Sequence, residues 1–170
     1  AGYFTAVPGW GGVAMGVTAV GAAGLAARAS TTGEWLVIWL VEAVLAAAVA
    51  GAAMVRKARA AGQTLSTGPA RKFALGFLPP VAAGAVLTAA LADAGVVERL
   101  PGVWLLLYGA AVVTGGAHSV RVVPILGVCL MVTGVLALLS PAAWGDAWMA
   151  AGFGGLQILF GAIIARRHGG

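Results

Sequence analysis

WLVIWLVEAVLAAAVAGAAMV, residues 35–55, decides the fold, because its only charged side chain is Glu42. At 1.5 Å per residue a helix over this stretch reaches about 31 Å, enough to cross a hydrocarbon layer about 30 Å thick. The whole chain agrees with that reading. Of 170 residues, 61% are hydrophobic and 9% charged, and the mean hydropathy is +1.01. Soluble domains carry about 25% charged and about 45–50% apolar residues, and a small domain has too little interior to hide this excess. One cysteine, Cys129, excludes a disulfide scaffold, and the 27 glycines show no three-residue period.

Outward from residues 35–55, five further apolar runs cover 10–27, 73–92, 102–115, 120–139 and 147–165. The run at 102–115 is short and extends to Ala117 as a span with little tilt. None alternates apolar and polar residues as barrel strands do. The expected fold is all-α: one polytopic domain of six transmembrane helices.

Charge predicts the orientation. The connection between spans two and three holds Arg56, Lys57, Arg59, Arg71 and Lys72. Arg121 follows span four, Arg166 and Arg167 follow span six, and no acid lies on that side. The opposite side sets Arg28 and Arg99 against Glu34, Asp93, Glu98 and Asp146. The positive-inside rule therefore predicts both termini in the cytoplasm. Trp35, Trp39, Trp104, Trp144 and Trp148 fall near the outer ends, whereas Tyr3, Phe4, Trp10, Phe73 and Phe77 gather at the inner ends, as headgroup-level belts would. The net charge of +5 is then explained by anionic inner-leaflet lipids meeting basic loops, with no nucleic acid required. Residues 1–9 lack the basic region and apolar core of a secretory signal, and an upstream cytoplasmic segment is expected before Ala1.

Small residues point to close helix packing, since apolar side chains gain little by leaving lipid for one another. Gly12 and Gly16, Ala46 and Ala50, and Ala151 and Gly155 are pairs at four-residue spacing. They are read as internal seams. Pro79-Pro80 in span three removes backbone donors and predicts a kink near Pro80. Pro124 sits near the inner end of span five. The last two hairpins share a basic start, a proline, an outer turn, a tryptophan and a glycine-containing return, a weak hairpin repeat. Inverted repeats are not visible. The glycine and apolar spacing of residues 105–164 resembles the HdeD-like class of six-helix bacterial inner-membrane proteins. The stretches FTAVPGWGG (4–12) and GPARKFALGF (68–77) are similar to a family of small bacterial membrane proteins. These resemblances imply the six-helix fold and carry no activity.

Glu42 leads the candidates for chemistry, as the only acid inside a span. It lies seven residues, or about 10 Å, from the start of the run. A carboxylate there costs several kcal/mol, so it faces protein or water, or keeps its proton. Tyr108 is expected at similar depth, Thr88 slightly shallower and Gln157 slightly deeper. The four form either a neutral structural cluster or a proton or cation site. His118 at the inner end of span four and His168 after span six suit no haem or pigment, which needs convergent ligands at cofactor depth. Cys129 in span five reads as packing. No G-x-S-x-G, H-E-x-x-H, C-x-x-C or P-loop pattern occurs. Gly152-Phe153-Gly154-Gly155 enters a membrane helix rather than a nucleotide site. The stretch 56–61 reads as an extension of span two that stops at Gly62, followed by a turn at 66–69. Arg56, Lys57, Arg59, Arg71 and Lys72 are expected to contact lipid phosphates or a cytoplasmic partner. No metal and no cofactor is expected. The leading expectation is a non-enzymatic accessory or scaffold component, with other membrane subunits as its partners. The alternative is a small transporter or channel built on Glu42, Tyr108 and Gln157.

Overall fold

A computed structural model describes residues 7–62 and 68–168. Six helices long and apolar enough to cross a membrane follow one another. They are α1 (Gly9–Ala26), α2 (Thr32–Ala60), α3 (Gly68–Asp93), α4 (Leu100–Gly116), α5 (Val122–Leu139) and α6. The last is continuous but not uniform: an α-helical Gly145–Met149, a π-helical Ala150–Leu156 and an α-helical Gln157–His168. Single 3₁₀ turns, Val97–Arg99 and Ala142–Trp144, lead into α4 and α6. No strand occurs among the described residues.

Local chemistry sets several of the boundaries. The Thr31 hydroxyl accepts the Glu34 N–H at 3.1 Å, and the Glu34 carboxylate accepts the Ser30 N–H at 2.8 Å. This cap starts α2 before the apolar run begins. At the other end α2 continues through the basic residues expected to prolong it, for 29 residues and about 43 Å. It stops where Gly62 takes a φ of +65°. Part of the turn expected at 66–69 lies outside the described residues, and α3 begins at Gly68.

Antiparallel packing produces two three-helix groups. The first centres on α1, which packs against α2 and α6, and the second on α4, which packs against α3 and α5. The π-helical part of α6 also touches α5 and joins the groups. Within each group the closest seam is lined by glycines seven residues apart, two helical turns along one face. In α1 and α6 they are Gly9 and Gly16 against Gly154 and Gly161. A β-carbon at Gly16 would stand 2.7 Å from the Gly154 carbonyl oxygen, and one at Gly161 2.8 Å from that of Gly9. In α4 and α5 they are Gly102, Gly109 and Gly116 against Gly127 and Gly134. A β-carbon at Gly109 would stand 2.6 Å from Gly127 O, and one at Gly127 2.7 Å from Gly109 O. Backbones this close exclude any side chain and gain dispersion contacts along their length.

Of the expected seams, Gly12 and Gly16 do face α6, and Ala46 and Ala50 share the inward stripe of α2. Ala151 and Gly155 do not form one. Both are exposed, and Gly155 meets nothing closer than Ala150 O at 3.9 Å. The π-helical stretch turns 155 outward and brings 154 and 161 to α1 instead.

The double proline does not interrupt α3, which stays helical across Pro79 and Pro80. Pro80 has no N–H to give the carbonyl of Gly76, four residues earlier. Thr114 of α4 supplies the missing donor, its hydroxyl lying 2.7 Å from Gly76 O. A neighbouring helix thus satisfies the backbone that proline leaves bare.

Candidate functional site

The antiparallel order gathers charge at opposite ends of the bundle. At the end where α1 begins and α2 and α6 finish, Arg56, Arg59, Arg71 and Lys72 are exposed, as are Arg121, Arg166 and Arg167. Lys57 differs from its neighbours. Its ammonium donates to Val7 O at 3.2 Å and His168 O at 3.3 Å, tying the end of α6 to the start of α1. It therefore serves as an internal tie rather than as one of the free basic contacts expected. His118 is exposed and His168 half-buried at this end, and no three His, Cys, Asp or Glu side chains converge among the described residues. Tyr3 and Phe4, expected in the aromatic belt here, lie outside the described residues.

Tryptophans organise the opposite end. Asp146 Oδ1 accepts the indole N–H of Trp35 at 2.8 Å and that of Trp39 at 3.1 Å. The Trp35 ring stacks on Trp104, with centroids 5.6 Å apart and planes within 5°. Trp104 donates to the Thr88 hydroxyl at 2.8 Å, and that hydroxyl donates to Gly84 O at 2.7 Å. Trp144 is 56% exposed whereas Trp39 is 3% exposed. Most of these rings therefore tie α2, α3, α4 and α6 together instead of lying only as a lipid-facing belt. The cause is Asp146, whose carboxylate offers acceptors that lipid tails lack. The Trp148 indole nitrogen is buried and has no hydrogen-bond partner among the described residues.

Between the two ends, the four residues expected to share one polar site occupy three places. Gln157 of α6 donates from Nε2 to the Tyr108 hydroxyl of α4 at 2.8 Å. Tyr108 meets Phe77 and Phe153 edge to face, with centroids 5.6 and 5.2 Å away. This pair is a polar bridge inside an aromatic cluster. Thr88 belongs to the tryptophan network. Glu42 is 8% exposed, and its partner is Thr18 of α1, whose hydroxyl lies 2.8 Å from Glu42 Oε1. Position along a span does not say which way each helix turns. Thr18 was missed because a threonine in an apolar helix has an ordinary use, bonding its own backbone, and here the same hydroxyl also lies 2.9 Å from Met15 O.

Comparison with models of protein families, with curated proteins and with solved structures finds no match to this chain.

Proposed function

We propose that this protein is a structural component of a bacterial inner membrane, a non-enzymatic accessory or scaffold subunit. The observation that carries the reading is the pair of glycine seams, which bring helix backbones into contact along both three-helix groups. Interlocked backbones favour one rigid packing over the rocking or gating that alternating access needs. The separation of Glu42 from Tyr108 and Gln157 weighs the same way, since the midplane site of a transporter would gather them. In this reading both termini lie in the cytoplasm, and the exposed basic end rests against anionic headgroups. The six-helix bacterial families that the sequence resembles are where we would place the chain. The open faces of α2 and α3, with Val37, Val41, Leu75 and Leu78 exposed, meet lipid or other membrane subunits.

Purification from native membranes in a mild detergent, followed by mass spectrometry, tests this. Co-purification at fixed stoichiometry with other membrane subunits is expected. A protein that emerges alone and conducts protons or solutes in liposomes overturns the reading in favour of a transporter.

A further inference from the structure

Glu42 and Thr18 hold more information than a single hydrogen bond. The Thr18 hydroxyl has one proton and lies within bonding distance of two acceptors, Glu42 Oε1 at 2.8 Å and Met15 O at 2.9 Å. If Glu42 is a carboxylate, that single proton is divided between the two oxygens. If Glu42 is a carboxylic acid, both contacts are made: the acid donates to Thr18, and Thr18 donates to Met15 O. The surroundings agree. No ion pair reaches Glu42 among the described residues, and α1 carries no titratable side chain. Charged groups on the packed elements are engaged elsewhere: Glu34 with the Ser30 N–H, Asp146 with two indoles and Lys57 with two carbonyls.

The second oxygen is unspent. Glu42 Oε2 bonds to no described residue, yet it is not among the sealed polar atoms. The seam beside it is open on the lipid side. Val17 and Val41 are 58% and 61% exposed. Gly21, one turn along α1 from Thr18, has nothing within 4 Å of where a side chain would begin.

We propose that Glu42 and Thr18 form a proton-binding site within the membrane, in which Glu42 holds the proton, donates it to Thr18 and is reached from the bilayer beside Gly21. The ligand is a proton rather than a metal ion, because one carboxyl and one hydroxyl fall short of the oxygen shell a hard cation takes. The site stands whether or not the bundle is an accessory subunit.

Infrared difference spectroscopy and carbodiimide labelling of the reconstituted protein test it together. Wild type is expected to show a protonated-carboxyl band in neutral buffer. That band is lost in Glu42→Gln, whose amide can still donate to Thr18 and keeps the thermal unfolding midpoint. In Thr18→Val the band remains but moves to higher frequency as its acceptor disappears. Dicyclohexylcarbodiimide should label Glu42. The acid proton passes to a carbodiimide nitrogen, the carboxyl oxygen bonds the central carbon, and migration of the acyl group to nitrogen leaves a stable acylurea with no leaving group. Gly21→Leu should slow this labelling severalfold and leave the infrared band in place. Absence of the band in wild type overturns the proton site. Equal labelling by a water-soluble carbodiimide, or an unchanged rate in Gly21→Leu, overturns access from the bilayer.

Discussion

Thr114 illustrates how a side chain in lipid is judged by the backbone it completes. Its hydroxyl reaches Gly76 O across the α3–α4 seam, and also its own helix at Ala110 O, 2.8 Å away. Thr114→Val keeps the shape and removes the donor. It should destabilise the bundle by about 1 kcal/mol, the usual scale for interhelical hydrogen bonds in membranes. Because Pro80 creates the vacancy, Pro80→Ala restores an N–H for Gly76 O, and Thr114→Val should then cost less than in wild type. A double-mutant cycle read by unfolding in mixed micelles checks this; equal costs in both backgrounds would sink the assignment. Asp146 makes a second case. Asp146→Leu strips two indole donors of one acceptor and should lower the unfolding midpoint, with Trp35 and Trp39 emission changing as their N–H groups lose it. Asp146→Asn retains a carbonyl acceptor and should fall between the two.

At the scale of the helix, glycines separate into those that are needed and those that are not. Gly109 and Gly127 face each other's carbonyls, whereas Gly51 and Gly21 have nothing within 4 Å of a would-be side chain. Gly127→Leu should cost about 1–3 kcal/mol by forcing α4 and α5 apart, and Gly51→Leu should be neutral or slightly stabilising. Similar costs at both positions, measured by thermal unfolding in one detergent, would contradict the seam. This contrast also marks how far sequence alone reaches. Six spans are legible from hydropathy, because the bilayer demands about twenty apolar residues whatever the packing. The seven-residue glycine spacing is legible too: Pro8-Gly9 and Gly16 in α1 match Pro101-Gly102 and Gly109 in α4. The partner of Glu42 is not legible, since it depends on which face α1 turns to α2. The register of α6 is hidden further by its π-helical stretch, which shifts every later residue around the axis.

Across the whole molecule, eight of the ten basic residues lie at one end and four of the five acids at the other. Replacing Arg56, Arg59, Arg71 and Lys72 with uncharged residues should weaken the preference for one orientation while leaving the helical seams intact. Single cysteines placed in the 28–31 and 94–96 turns, in a Cys129→Ala background, would report it. In the orientation proposed above, an impermeant thiol reagent should reach them only from the side opposite the basic end in the parent chain, and from both sides in a fraction of the neutralised one. Uniform labelling from one side in both chains would separate charge from orientation.

The seam between α1 and α6 joins helices at opposite ends of the described chain, while α4 and α5 are neighbours. During synthesis the α4–α5 contact can close as soon as α5 enters the membrane. The glycine face of α1 waits until α6, the last of the six helices, is made. Until then its carbonyl-rich groove has no glycine-lined partner and α2 is its principal support. A chain arrested before Gly154 would therefore carry one finished hairpin and one bare helix face, a form that membrane quality control can distinguish from the completed bundle.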